Sequence, residues 1–317
     1  MEDGGVRTLD FLIIGAQKGG TTSLWQYLRE HPRLALPRSK EAAFFSREES
    51  QRPGRLESFM ERYFDDAPAD ALLGKVTTRY MLGNSDTHVG TIAERIRNAL
   101  PDVKLIALLR DPIERAVSGY TMAVRREQES KDVDDALMDL LAPEKLKDAR
   151  LRVAPDNSYV VVGEYGRILE EYRLRFPAEQ MLTVFTQDLE DDPGHVLDEV
   201  LDFLGLPAGF RPRGLGMRHF RGGTNRRLDP EGERLLVDFL ANEMLPHMRG
   251  DREANLKTLV MFLMSWNVTP TEPPALSPEI RRHLESHYRH DAEVLATLGI
   301  HVPWVAQWDA RRQMAGL

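Results

Sequence analysis

A lysine, two glycines and three hydroxyl residues follow one another near the start of the chain: Lys18, Gly19, Gly20, Thr21, Thr22 and Ser23. A glycine pair lets the backbone turn tightly and approach a ligand closely. The amides of residues 20–23 would open a helix, where intrahelical partners are missing and the helix dipole favours negative charge. With an ammonium beside them, the pattern predicts an anion site. The alternative is a turn that only joins a strand to a helix.

The order of these residues does not fit the two common nucleotide loops. In a Walker A loop, G-x-x-x-x-G-K-[ST], lysine follows the last glycine directly, whereas here Thr21 follows Gly20. A dinucleotide fingerprint, G-x-G-x-x-G, also fails, because Gly15 is followed by Ala-Gln-Lys. The loop is therefore expected to hold a different phosphate ligand.

A second candidate anion site lies in the segment LRDPIERAVSGY. Arg110 follows the apolar run 103–109, and Ser118 comes eight residues later, about two helical turns on. A nucleoside triphosphatase would need an aspartate at this strand end to hold Mg²⁺. Arginine instead offers a fixed cation with a fork of donors that suits phosphate. The alternative for Arg110 is a salt bridge to Asp111 or Glu114.

Together these motifs resemble those of the sulfotransferases that use 3′-phosphoadenosine 5′-phosphosulfate (PAPS) and release 3′-phosphoadenosine 5′-phosphate (PAP). The segments KEAAFF (40–45) and EIRRHLESHYRHDAEVLATLGIHVPW are similar to the bacterial and heparan-type glucosaminyl branch. The resemblance runs from about residue 10 to residue 305. It implies that the loop at 18–23 holds the 5′-phosphosulfate, and that Arg110 and Ser118 hold the 3′-phosphate.

The resemblance also implies the residues that carry the chemistry. The acceptor would attack sulfur in line, with Glu41 as the general base and Lys18 stabilising charge on the leaving phosphate. Relatives often have histidine two residues after this glutamate, whereas this chain has Ala43. A surface pair of Glu41 with Lys40 or Arg38 is the alternative, and His219 remains open as a different base.

Further basic residues could contact either the acceptor or the cofactor. Lys40, Lys75 and Arg79 are candidate acceptor contacts. The resemblance implies that a late glycine-containing basic loop closes over the 3′-phosphate, here Arg221, Gly222 and Gly223. Arg226 and Arg227 follow them, and an ordinary basic turn is the alternative. No metal site is expected, because the nine histidines are scattered along the chain.

These residues need a sheet with helices around it. Apolar or β-branched runs predict strands at 11–15, 72–82, 103–109 and 180–186, and helical spacing predicts helices at 23–29, 87–101, 165–177 and 193–207. The pattern predicts an α/β fold, a three-layer P-loop-like domain with a central parallel sheet and helical additions at the C-terminal end. We expect one domain over 1–317. Residues 125–157, interpreted as a mobile flap, and residues 228–275 would be insertions on the acceptor side.

Composition limits the other function classes. The chain has 317 residues, a net charge of −8 and no cysteine. The charge makes a general nucleic-acid surface unexpected, and the missing cysteine excludes disulfides and thiolate chemistry. The longest apolar runs are too short to span a bilayer, and the short acidic N-terminus differs from a signal peptide. We expect a cytoplasmic, bacterial-type sulfotransferase that acts on a hydroxyl, less favourably an amine, of a small molecule or glycoside. A P-loop kinase or a non-catalytic nucleotide-binding relative remains the alternative, and the oligomeric state is undetermined.

Overall fold

A parallel sheet forms the centre of the molecule. The structure is a computed structural model that describes residues 7–37, 40, 44–82, 91–151, 158–217, 225–226, 228, 230–247, 268–269 and 272–314. Five strands pair in the order β2-β3-β1-β4-β5, and every pairing is parallel. They are β1 Phe11–Gly15, β2 Leu34–Ala35, β3 Leu72–Val76, β4 Lys104–Leu109 and β5 Met181–Phe185. A separate antiparallel pair joins β6 Asn225–Arg226 to β7 Val268–Thr269.

Helices connect and cover the strands. In the described part of the chain they are α1 Thr21–Arg29, α2 Arg55–Phe64, α3 Ile92–Ala99, α4 Pro112–Arg125, α5 Val133–Leu140, α6 Pro143–Leu151, α7 Tyr165–Arg173, α8 Thr186–Asp191, α9 Pro193–Leu204, α10 Pro230–Phe239, α11 Pro278–Thr297 and α12 Trp304–Met314. Asp111 and Pro112 begin α4: the Asp111 carboxylate accepts hydrogen bonds from the backbone N–H groups of Ile113 and Glu114.

Alternate side chains of the strands enter two separate apolar cores. Phe11 and Ile13 of β1 pack on the side of α1 and α9, whereas Leu12 and Ile14 pack on the side of α3, α4, α7 and α11. A strand that is buried on both faces reads as a continuous apolar run, which is why β1 and β4 are evident in the sequence. This arrangement confirms the predicted three-layer α/β fold.

The segment 125–157 differs from the expected flap. Two helices, α5 and α6, occupy most of it, and α5 buries Val133, Ala136, Leu137 and Leu140 in the main core. At least the α5 part of the expected flap is therefore a core helix. Of the second expected insertion, 228–275, the structure describes α10, the turn that follows it, and β7.

The strand order places one crevice at the centre of the sheet. The chain builds β2 and β3 on one side of β1, and then β4 and β5 on the other. The connections therefore diverge between β1 and β4, at the carboxyl ends of the strands. Open α/β sheets bind ligands at this kind of switch point. The loop after β1 and Arg110 after β4 both lie at that edge.

Candidate active site

The loop after β1 needs both of its glycines. Gly20 has a φ of 88°, in the left-handed region that favours glycine. A Cβ on Gly19 would lie 2.7 Å from the carbonyl oxygen of Leu108 in β4, closer than real contacts allow. The loop is thus pressed against the end of β4, which brings the two predicted anion sites together.

Thr186, which the sequence analysis did not single out, fastens this arrangement. Its buried hydroxyl lies 2.8 Å from the Gly19 carbonyl oxygen and 3.1 Å from that of Leu109. One side chain at the start of α8 therefore ties the β1 loop to the end of β4. A threonine after a strand has no distinctive sequence signal, since its role depends on strand order.

The first turn of α1 presents backbone amides toward the crevice. Gly20 is the N-cap residue and has no side chain to accept hydrogen bonds from the amides that follow. The expected set of amides is corrected at one position, because the Ser23 N–H donates to the Gly20 carbonyl at 3.0 Å. The Thr21 side chain is buried, whereas Thr22 and Ser23 are partly exposed. The amides of Thr21 and Thr22 and the hydroxyls of Thr22 and Ser23 are the donors best suited to an anion.

Lys18 lies in a strongly positive environment. Its backbone has a φ of 67°, in the left-handed region, which is unusual for a residue other than glycine. Burial and the charges of four arginines lower the pKa of its ammonium from 10.5 to about 8. In decreasing order of effect, these arginines are Arg125, Arg110, Arg126 and Arg115. Only Arg110 was predicted as a site residue, although Arg125 follows Ser118 by seven positions and so lies on the same face of α4.

Arg110 pairs with an acid in the first turn of α4. Its Nε and Nη2 lie 3.2 and 3.1 Å from Oε2 of Glu114. The Glu114 side chain is 57% exposed, and pairs of this kind contribute only a few tenths of a kcal/mol. A phosphate can therefore compete for the guanidinium. Ser118 follows Glu114 by four residues, so its partly exposed hydroxyl lies on the same helix face.

The segment around residue 40 is attached to the core from both sides. The Lys75 ammonium, 0% exposed, donates to the Lys40 carbonyl at 2.9 Å. On the other side, the Phe45 amide donates to the Tyr80 hydroxyl at 3.2 Å, and Arg95 donates to the Phe45 carbonyl at 3.0 Å. Buried cations and a phenol thus fix the backbone on both sides of the segment that contains Glu41.

The three residues that were expected to contact the acceptor differ in their exposure. Lys75 is enclosed and bonded to backbone, so the structure gives it a supporting position in place of the expected contact with the acceptor. The Lys40 side chain is also buried, at 4% exposure, whereas Arg79 is exposed. Arg79 alone of these three presents its side chain to solvent.

Several predicted residues lie outside the described part of the chain. They are Glu41, His219, Arg221, Gly222, Gly223 and Arg227. Among the described residues, no group of three or more acidic or histidine side chains is placed to hold a metal ion. The helices in that same part of the chain are too short or too polar to cross a membrane.

Comparisons with known proteins identify the family of the chain. The sulfotransferase domain model matches residues 8–219. Heparan sulfate glucosamine 3-O-sulfotransferase 3A1 of Homo sapiens is 26% identical over 254 residues, which cover 75% of this chain and 58% of that protein. Bifunctional heparan sulfate N-deacetylase/N-sulfotransferase 3 of Homo sapiens is 30% identical over 203 residues, covering 62% of this chain and 22% of that protein.

A solved structure matches over most of both chains. The sulfotransferase from Alicyclobacillus acidocaldarius is 28% identical, with a TM-score of 0.55, and the match covers 80% of this chain and 96% of that one. The chain spans less than two thirds of the length of the two human relatives. The matched region, 8–219, contains the β1 loop, Arg110 and Thr186. The chain belongs to the sulfotransferase domain family.

Proposed function

We propose that the protein transfers a sulfuryl group from PAPS to a hydroxyl of a glycoside or small-molecule acceptor. The observation that carries the proposal is the set of cations around Lys18, beside a helix start that a glycine caps. The charges of four arginines all repel the Lys18 ammonium, and an anion bound beside Lys18 would relieve that repulsion. PAPS carries anionic groups at both its 5′ and 3′ positions.

The residues present fit that cofactor at two places. The loop at 18–23 offers the Lys18 ammonium, backbone amides and hydroxyls for the 5′-phosphosulfate. Arg110 and Ser118 offer a guanidinium and a hydroxyl for the 3′-phosphate. Thr186 holds the two places in a fixed relation, because its hydroxyl bonds to the backbone of both. Fixed donors of this kind are the main source of electrostatic stabilisation in phosphoryl and related transfers.

In this proposal, the chain orients the reactants and moves one proton. PAPS, when bound, supplies the sulfuryl group and a stable leaving phosphate. Lys18 stabilises negative charge at the 5′ side. Glu41 takes the proton of the acceptor hydroxyl, a contribution of about 10²–10⁴-fold for a general base. Lys75 holds the backbone of Lys40, and Tyr80 and Arg95 hold that of Phe45.

The acceptor is proposed from the relatives. One human relative is named a heparan sulfate glucosamine 3-O-sulfotransferase, and the other a heparan sulfate N-deacetylase/N-sulfotransferase. A sugar hydroxyl is the acceptor that we propose for this chain, with a sugar amine second. Action in the cytoplasm of a bacterium stays a prediction of the sequence.

Binding and turnover test separate parts of the proposal. Calorimetry should show PAP binding without a metal, and weaker binding of ATP with Mg²⁺. Tight Mg²⁺-dependent ATP binding without PAP binding would contradict the cofactor assignment. With radiolabelled PAPS and a panel of glycosides, Glu41→Gln should retain PAP affinity and lose turnover. Normal turnover of Glu41→Gln would place the base elsewhere, with His219→Asn as the next variant to measure.

A further inference from the structure

The C-terminal helix α12 borders the Arg110 site although it lies outside the matched region 8–219. A cleft at the carboxyl edge of the sheet is bordered on one side by Arg110, Asp111 and Glu114, and on the other by Pro303, Trp304 and Gln307. Trp304 is buried, and its ring meets Phe185 edge-on with centroids 5.8 Å apart. The start of α12 is therefore seated against the ends of β4 and β5.

One hydrogen bond connects α12 directly to the turn that carries Arg110. The Trp308 indole Nε1–H donates to Oδ2 of Asp111 at 3.0 Å. The other carboxylate oxygen, Oδ1, accepts from the Ile113 amide at 2.8 Å. The Trp308 side chain is 0% exposed and that of Asp111 is 11% exposed. The bond is thus shielded from water, and a hydrogen bond to a charged group is stronger in the protein interior than in water.

The position of Asp111 makes this bond relevant to binding. Asp111 follows Arg110 directly and caps α4, so its carboxylate fixes the turn between β4 and α4. We propose that Trp308 is a positioning residue for the 3′-phosphate site: by holding the Asp111 carboxylate, it fixes the backbone from which Arg110 extends. This inference rests on the proposed function, since it assumes that Arg110 binds the 3′-phosphate.

The charges that face Asp111 agree with this role. Burial raises the pKa of Asp111, whereas the hydrogen bonds from Trp308 and the Ile113 amide lower it. Arg311 on the same helix has its Nη2 4.0 Å from Oδ2, at the limit of an ion pair, and Glu114 adds a repulsive charge. The indole N–H is the closest side-chain donor given for this carboxylate, so its removal should loosen the turn.

The test compares two nucleotides that differ only in the 3′-phosphate. Trp308→Phe keeps an aromatic ring in the core but removes the N–H donor. We expect its affinity for PAP to fall about three- to tenfold, because the Arg110 side chain would be less well preorganised for the phosphate. Its affinity for adenosine 5′-phosphate should stay as in the wild type, because that nucleotide does not reach Arg110. Calorimetry or competition binding gives the ratio of the two affinities.

A matched control lies on the same helix. Asp309 follows Trp308 and holds α12 to α11 through an ion pair with Arg289, 2.7 Å between Oδ1 and Nη2. Asp309→Asn should weaken the docking of α12 without changing the ratio of PAP to adenosine 5′-phosphate affinity. Asp111→Asn is the second test variant, for use alone if Trp308→Phe does not fold. It should lower the ratio, and the double variant should lower it no further.

Each outcome decides between the possibilities. An unchanged ratio in both Trp308→Phe and Asp111→Asn would overturn the inference, as would an equal loss of affinity for both nucleotides. An equal change in Asp309→Asn would show a general effect of helix docking, and would also overturn it. If the wild-type protein binds no PAP, the proposed function fails first. If it prefers PAP and the variants retain that preference, only the role of Trp308 fails.

Discussion

Two charged clusters in this molecule differ in whether the central residue has the same sign of charge as its neighbours. Around Lys18, burial and neighbouring arginines lower the pKa of a cation to about 8. Around Glu164, 3% exposed, two arginines and a histidine surround a carboxylate. Arg150 Nη2, Arg167 Nε and His287 Nε2 lie 2.8, 2.7 and 3.1 Å from its oxygens. Burial acts to raise the pKa of Glu164, but the hydrogen bonds from His287 and Arg150 and the charge of Arg167 lower it to about 2.

The difference favours the Lys18 cluster as the one that binds a ligand. The charge of Glu164 is balanced by groups of the protein, so its native environment favours the ionised form. Lys18 meets like charges, so its native environment disfavours the ionised form until an anion arrives. Perturbed groups occur both in structural ion pairs and at functional sites. Here the two pKa values both fall, which favours the ionised form of Glu164 and disfavours that of Lys18.

The largest expected effect is on the stability of the protein and comes from the cluster around Glu164. Glu164→Gln should lower the free energy of unfolding by roughly 3 kcal/mol, because it leaves the cations around residue 164 without their carboxylate. Chemical denaturation measures the loss. PAP affinity of the folded variant should not change.

The matched control is Glu171→Gln in α7, the helix that Glu164 precedes. Glu171 pairs with Arg175 at 2.8 Å, nearer the surface. Its replacement should lower the free energy of unfolding by about 0.5 kcal/mol or less. The wild-type contribution of Glu164 should be complete above the ordinary pKa of 4.5 and be lost as pH falls toward about 2. An equal loss in both variants would contradict the distinction between the clusters.

The next largest expected effect is on PAP binding and comes from the cluster around Lys18. Arg110→Ala should weaken PAP binding by about 10- to 100-fold, the value of a charge-assisted hydrogen bond to phosphate. Stability should change little, since the Arg110 side chain pairs with the exposed Glu114. Calorimetry measures the affinity. Arg211→Ala is the control, because Arg211 forms a comparable 2.7 Å ion pair with Asp198 away from the crevice. Unaltered PAP binding by Arg110→Ala would remove it from the site.

The smallest expected effect is a gain in stability, which is unusual for a substitution. Lys18→Met should stabilise the ligand-free protein by about 1 kcal/mol at pH 7, because it removes a cation that burial and like charges disfavour. Thermal unfolding without ligand measures it. In the wild type, stability from Lys18 should rise with pH between about 8 and 10.5, since the unfolded chain then binds more protons.

Lys75→Met provides the contrast. Lys75 is a lysine with 0% exposure, but it donates to the Lys40 carbonyl. Its replacement should therefore destabilise the protein. If Lys18→Met also destabilises it, the positive cluster is internally compensated and does not need an anion.

The sequence predicts the sheet better than it predicts the contacts across it. Runs such as 103–109 are buried on both faces, so composition alone identifies them. Lys18 and Arg110 follow strands directly, so their placement at one edge comes from the parallel sheet. Thr186 and Trp308 act through partners 77 to 197 residues away. Because only the strand order and the packing of α12 bring those partners together, no local pattern could reveal them.

Two expectations failed for a related reason. Residues 125–157 have few apolar residues, and the four that α5 buries gave too weak a pattern to distinguish a core helix from a lid. Lys75 was expected to contact the acceptor, but its side chain is 0% exposed, and the sequence gives no sign of the partner that allows this burial. A backbone carbonyl 35 positions away satisfies its ammonium inside the protein.

The central claim is that the Lys18 cluster awaits an anion, and proton uptake on binding tests it most directly. Calorimetry of PAP binding at pH 8, in buffers of different ionisation enthalpy, counts the protons taken up. We predict uptake of about half a proton per PAP, because a bound anion restores the pKa of Lys18. Lys18→Arg, which does not titrate in this range, should take up none. No uptake by the wild type, or equal uptake by Lys18→Arg, would contradict the account.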